Sequence, residues 1–130
     1  MKRHLLLATF LLGATFVTNA KTEYEPPKIE GWTLLSGNDD YVFYGKNGSA
    51  EHLKGVRSII IQQVPTNQRS DKTVYYTRFS ISDNDCKRGM GSVNVYDLSG
   101  KHMLRSDYVN GGNSVAASIA DVVCETDKTQ

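Results

Sequence analysis

The sequence predicts an α+β domain in which a series of strands precedes one C-terminal helix, with a disulfide tying that helix to the strands. Three observations support this fold class. Short segments with alternating or continuous apolar residues recur between residues 31 and 108. Residues 113–124 instead have apolar side chains at helical spacing. The chain has two cysteines, Cys86 within the strand region and Cys124 at the end of the helical segment.

Residues 1–20 have the pattern of a secretory signal peptide. A basic start at residues 2–4 precedes an apolar run over residues 5–17, and Ala20 provides the small residue that suits cleavage. The run is too short to cross a bilayer, so we favour a cleaved leader over an uncleaved anchor. The mature chain is expected to begin near Lys21. With no cysteine there to accept a lipid, no membrane anchor is expected after cleavage.

The mature chain is expected to divide into an arm, one domain and a tail. Residues 21–30 contain adjacent prolines and are predicted to form an extended N-terminal arm. The domain proper covers residues 31–125, and residues 126–130 form a polar tail. About 110 residues suffice for a single domain with a modest core.

The first strands are predicted from aromatic and β-branched residues. Trp32 lies in the first of them, and as the largest side chain we expect it to be a core or sheet-edge anchor. Residues 41–44 form a short aromatic strand that ends at a turn rich in glycine and asparagine. Residues 56–64 contain three consecutive isoleucines, which place apolar groups on both faces and predict a central strand.

Residues 73–83 alternate, and the two sets of side chains predict two faces. The set expected to face the core is Tyr75, Thr77, Phe79 and Ile81, and the opposite set is Val74, Tyr76, Arg78 and Ser80. Strict alternation would place Cys86 away from the core, which conflicts with a bond to a core helix. We therefore predict a bulge or bend within residues 82–85.

A hairpin and the helix complete the domain. Residues 90–96 and 101–108 flank a four-residue loop and predict the hairpin. Asn113 or Ser114 is expected to cap the helix. The predicted apolar helix face consists of Val115, Ala116, Ile119, Ala120, Val122 and Val123, with Cys124 one turn beyond Ala120. Such a short helix is marginal alone, so it must depend on packing and on the disulfide.

Cysteine usage and charge exclude several classes of function. In an exported domain, Cys86 and Cys124 are expected to be bonded to each other. Because His52 and His102 are far from both in sequence, no metal site is expected. Without residues 1–20 the chain has 13 basic against 14 acidic residues, from totals of 15 and 14, and its basic residues are scattered. No nucleic-acid partner is therefore expected.

No catalytic or cofactor motif is present, and the best functional candidates are surface residues of one strand and its continuation. The sequence has no nucleophile elbow, phosphate-binding loop or paired-histidine zinc motif. We expect no cofactor. The candidate binding surface is Tyr76, Arg78, Lys87 and Arg88, on or beside the strand face expected to be exposed. The alternative is that its tyrosine is an ordinary half-buried strand residue.

Together these elements resemble the surface-adhesin protein E family of Gram-negative bacteria. The resemblance rests on Trp32, residues 41–44, residues 56–64, the strand 75–81 running to Cys86, the hairpin around residues 96–100, and residues 114–124. It implies a single antiparallel sheet of about six strands, with the C-terminal helix held on the concave face by the disulfide.

The resemblance also implies a function. The best-known member of that family is an outer-membrane lipoprotein that binds host proteins such as vitronectin and laminin and has been linked to haem. Its host-binding stretch corresponds loosely to Tyr76, Arg78, Lys87 and Arg88, although this chain has no lipid-accepting cysteine and is less basic there.

We therefore expect an exported, non-enzymatic protein-binding domain, adhesin-like by resemblance. The periplasm is the expected compartment, and the cell surface and the medium remain alternatives. A second hypothesis is a periplasmic inhibitor or immunity protein that blocks a toxin or a cell-wall enzyme. A third is a small hydrolase whose site is assembled from dispersed residues.

Overall fold

The computed structural model describes residues 24–126 of the chain. The leader predicted for residues 1–20 and the tail beyond residue 126 lie outside the described residues. Within that part, seven strands form one antiparallel sheet, and two helices accompany it. A disulfide joins Cys86 to Cys124. The predicted fold class is confirmed, with one more strand than expected.

The elements follow one another with short connections. In chain order they are β1 (Trp32–Gly37), β2 (Tyr41–Lys46), β3 (Glu51–Leu53), β4 (Val56–Pro65), β5 (Tyr75–Ser82), α1 (Asp83–Arg88), β6 (Met90–Asp97), β7 (His102–Val109) and α2 (Val115–Glu125). The strand order across the sheet is β1-β2-β4-β5-β6-β7, and β3 pairs with the beginning of β4. The short, fully exposed β3 has no apolar pattern, and the sequence did not predict it.

The strand with three isoleucines is central, as predicted. β4 lies between β2 and β5 and is the longest strand described. Ile59 and Ile61 are buried on the face that α2 covers, whereas Ile60 is half-buried on the other face. β4 therefore has apolar side chains on both of its faces because it is a central strand, paired with a neighbour along each edge.

The alternation predicted for β5 is confirmed in part. Thr77, Phe79 and Ile81 are buried, whereas Tyr75 of the predicted core set is exposed and Ser80 of the opposite set is buried. The bulge or bend predicted within residues 82–85 is a helix instead, since β5 ends at Ser82 and α1 begins at Asp83. Ser82 Oγ accepts a hydrogen bond from Asp85 N at 3.1 Å, and Gly89 ends the helix at φ 74°. Rather than a one-residue shift within the strand, a helical turn brings Cys86 to the core.

α2 packs against the sheet through small residues. Its buried side chains are Ala116, Ala117, Ile119, Ala120 and Val123, whereas Val115 and Val122 of the predicted face are only half-buried. Ser114 caps the helix by accepting from Ala117 N at 3.0 Å. On the sheet, buried Tyr108 donates its hydroxyl to Asp121 Oδ1 at 2.8 Å, which fixes the middle of the helix against β7.

The described part of the arm lies against the opposite face of the sheet. Residues 24–29 have no regular secondary structure, as the prolines predict. Pro27 O accepts a hydrogen bond from the hydroxyl of Tyr44 at 2.5 Å, and Tyr44 is almost fully buried. The arm therefore shields one end of a face that α2 leaves uncovered.

Candidate functional site

The sheet has two unlike faces. α2 covers one of them, and we call the other the open face. At the β2 end of the open face, the arm covers Val42 and Tyr44. Further along the sheet, a group of aromatic and polar side chains extends from β1 to β7. We call this group the open-face cluster, and it consists of Trp32, Gln62, Tyr76, Arg78, Tyr96 and His102.

Tyr76 and Trp32 form the first part of the cluster. Their ring centroids are 6.0 Å apart with planes tilted by 52°, although β2 and β4 lie between their strands. The Tyr76 hydroxyl accepts a hydrogen bond from Gln62 Nε2 at 3.2 Å. Tyr76 remains 46% exposed. The ring is therefore held in place while much of it still faces solvent.

Arg78 provides the positive charge of the cluster. Its Nη1 lies 3.7 Å from Glu51 Oε1, and its side chain is 35% exposed. In the register of β5 and β6 it lies directly opposite Tyr96. An exposed ion pair of this length contributes little to stability, so the guanidinium can exchange Glu51 for another acceptor at small cost.

The third part of the cluster is a pair of rings on the hairpin. Tyr96 and His102 lie edge to face, with centroids 5.2 Å apart and an interplanar angle of 76°. His102 Nε2 is 3.0 Å from Asn94 Oδ1. These contacts orient an exposed histidine beside Tyr96 and extend the aromatic surface to the last strand.

The structure divides the four residues predicted from sequence into two groups. Tyr76 and Arg78 lie in the open-face cluster. Lys87 and Arg88 are exposed on α1, where Arg88 Nη2 is 3.6 Å from Asp85 Oδ1. No described contact joins these two side chains to the cluster. The sequence grouped all four because Lys87 and Arg88 were expected beside the exposed face of the strand that precedes them.

A second candidate lies on the other side of the sheet, between the sheet and the start of α2. It is a cleft of about 480 Å³ that includes no predicted site residue and no charged one. Its lining is mostly apolar, and Met103 and Leu104 at its β7 side are half exposed. Thr77 lines it, and the buried Thr77 hydroxyl has no hydrogen-bond partner among the described residues.

A third cluster joins several elements near the disulfide. Asp83 accepts from Arg57 Nε at 2.7 Å and lies 2.8 Å from His52 Nε2. Arg57 Nη1 also donates to Cys124 O at 3.2 Å. Hydrogen bonds from His52 and Arg57 hold the pKa of the Asp83 carboxyl below its ordinary value of 3.8. We interpret this cluster as structural, because it ties β3, β4 and α1 to the end of α2.

The described residues were also searched for metal-binding groups and for membrane-spanning helices. Within residues 24–126, no group of three or more histidine, cysteine or acidic side chains is arranged to hold a metal ion. Neither helix of that segment is long and apolar enough to cross a membrane.

Comparisons of the chain with protein-family models, with curated proteins and with solved structures found no match. The resemblance to the surface-adhesin protein E family therefore stays a prediction from element order and cysteine positions.

Proposed function

We propose that the chain is an exported, non-enzymatic protein-binding domain, adhesin-like by its resemblance, with the open-face cluster as its contact surface. The observation behind the proposal is the environment of Tyr76. This side chain is 46% exposed on a central strand, yet Trp32 packs against its ring and Gln62 binds its hydroxyl.

The composition of the cluster supports protein binding. Tryptophan, tyrosine and arginine are the residue types most enriched among the side chains that dominate binding energy in protein interfaces. Contacts with Trp32 and Gln62 already restrict Tyr76, so little entropy of this side chain remains to be lost on binding. Because Tyr76 and Arg78 both lie on a paired strand, the backbone beneath them is rigid.

The chemistry of the cluster also suggests what it would bind. Arg78 needs a carboxylate or carbonyl oxygen, and the rings of Trp32, Tyr76 and Tyr96 need a flat apolar or aromatic surface. A protein surface that has an acidic residue beside an apolar patch provides both.

The proposed compartment is the periplasm. The predicted leader implies export, and the Cys86–Cys124 disulfide is consistent with an oxidising compartment. Protease treatment of intact cells tests the compartment separately, because only a surface-exposed chain would be cut.

The proposal is tested by capture of envelope proteins on the immobilised chain from Lys21 to its end. The variant has Tyr76→Ala and Arg78→Glu, and the matched control has Lys87→Glu and Arg88→Glu on α1. We expect a protein that the wild type and the control retain but that the open-face variant binds at least about 30-fold more weakly, since the loss of even one hot-spot residue costs about 2 kcal/mol. Equal retention by all three chains, or loss in the control alone, contradicts the proposed surface.

A further inference from the structure

The last strand, β7, is an open edge of the sheet. Within residues 24–126 it pairs on one side only, with β6. Residues 104–109 lie opposite residues 95–90 in uninterrupted register. Three apolar side chains of β7, Met103, Leu104 and Val109, are each more than half exposed. An exposed strand of this kind presents unpaired backbone groups together with apolar side chains, and both favour pairing with another strand.

The two edge strands of the sheet differ in where their pairing is interrupted. Both β1 and β7 contain one register shift, and α2 contacts both strands. In β1 the shift lies between Leu34 and Ser36, in the middle of a six-residue strand, whereas in β7 it lies before Leu104, near the beginning of the strand. Residues 104–109 contain no proline, no lysine and no register shift, three of the devices that block edge pairing. The two charged side chains of this segment, Arg105 and Asp107, are of opposite sign.

The hydrogen-bond pattern shows which backbone groups of β7 point away from the sheet. Asn110 N donates to Gly89 O at 2.8 Å, so residue 110 is hydrogen-bonded toward the β6 side. Because bonding alternates along an antiparallel strand, residues 108, 106 and 104 also bond to β6. The N–H and C=O groups of Arg105, Asp107 and Val109 therefore point outward.

From this geometry we propose that β7 pairs with β7 of a second copy of this chain, antiparallel and centred on Ser106. Centring on Ser106 places Arg105 opposite Asp107 of the second copy, and Asp107 opposite Arg105 of the second copy. These are the residues whose backbone groups point outward, so each pair forms backbone hydrogen bonds and an ion pair at the same place. The two-fold axis makes the surface self-complementary.

The same register also covers an exposed apolar side chain of β7. Leu104, on the face that α2 covers, lies opposite Tyr108 of the second copy and loses much of its exposure. The second copy would also cover the β7 side of the cleft lined by Met103, Leu104 and Ser106. Antiparallel pairing needs an acidic residue opposite Arg105 and a basic residue opposite Asp107, and β7 of a second copy supplies both. An unrelated strand would not be expected to have these two charges at the same spacing, so we assign the exposed edge of β7 to a second copy.

The proposal is tested by sedimentation equilibrium of the chain from Lys21, which retains both cysteines and the whole described core. The wild type is expected to form a dimer. Arg105→Asp alone places two acidic residues opposite each other, and Asp107→Arg alone places two arginines opposite each other, so each variant should dimerise at least about tenfold more weakly. An equimolar mixture of the two variants restores both opposite-charge pairs and should form a heterodimer of wild-type affinity.

The matched control is Arg78→Glu, which reverses a charge on the open face away from β7 and should leave the dimer unchanged. Restored association in the mixture also shows that both variants are folded. The proposal is overturned by a wild type that stays monomeric at millimolar concentration. A dimer insensitive to both single variants, or a mixture that remains monomeric, also overturns it.

Discussion

Removal of the Cys86–Cys124 disulfide should destabilise the domain strongly and loosen α2 from its C-terminal end. The bond closes a loop with a sequence separation of 38 residues. On the chain-entropy model, a loop of this size stabilises the folded state by about 4 kcal/mol relative to the unfolded chain. In a domain of about 100 residues, that loss corresponds to a fall in Tm of roughly 15 to 30 °C.

The loss should not be uniform along α2. At its C-terminal end, the hydrogen bond from Arg57 Nη1 to Cys124 O remains. The first half keeps the buried side chains of Ala116 and Ile119, and the middle keeps the hydrogen bond to Asp121 from Tyr108. Amide exchange should therefore rise first in residues 122–125.

The assay is thermal unfolding followed by circular dichroism, together with hydrogen exchange of a variant with Cys86→Ser and Cys124→Ser. The control is the same variant with and without a thiol reductant, which should give identical curves because no disulfide remains. A fall in Tm of only a few degrees, or exchange that rises equally along α2, would refute this account of how the helix is held.

Two other stability predictions follow from single side chains. A Cβ at Gly91 would lie 2.0 Å from Asp85 Cγ, so Gly91→Ala must displace the carboxylate that accepts a hydrogen bond from Ser92 N. Urea unfolding should show that Gly91→Ala lowers the free energy of unfolding by about 2 to 3 kcal/mol. The control Gly48→Ala, whose Cβ would meet open space at φ +81°, should lower it by only about 1 to 2 kcal/mol, and equal losses would mean that the Asp85 carboxylate moves aside without cost. The lowered pKa of Asp83 means that its contribution to stability is present above pH 3.8 and is lost as the pH falls through its folded pKa. Asp83→Asn should therefore flatten the acid side of the stability curve, and an unchanged acid limb would contradict this role.

Much of the fold was predictable because hydrophobic periodicity reports burial directly. Three isoleucines gave the central β4, alternation gave the buried face of β5, and helical spacing with a capping serine gave α2. In each of these three elements, the residues of the element itself are enough to predict its type and its buried face. The elements packed against it only have to provide an apolar surface.

Hydrophobic periodicity did not predict α1 because this helix is too short. Six residues are too few for an apolar stripe, and none of its side chains is buried. The signals present were those of helix ends: Ser82 as the cap, acidic residues in the first turn, Lys87 and Arg88 in the last, and Gly89 with a positive φ. Read together, these would have replaced the predicted bulge.

Only part of the open-face cluster could be predicted from the sequence. Tyr76 and Arg78 follow from the alternation of β5. Trp32 could not be placed beside Tyr76, because that contact depends on the register of four strands at once. His102 could have been placed approximately beside Tyr96 by counting across the hairpin loop, since opposite residues of a hairpin are set by the loop length.

The most direct test of the proposed function is site-specific photo-crosslinking in growing cells. A photoreactive phenylalanine analogue replaces Tyr76 on the open face in one strain and Lys87 on α1 in another. If the open-face cluster is the contact surface, position 76 should yield a crosslinked adduct with a distinct protein, and position 87 should not. An adduct at position 87 with none at position 76 would contradict the central claim.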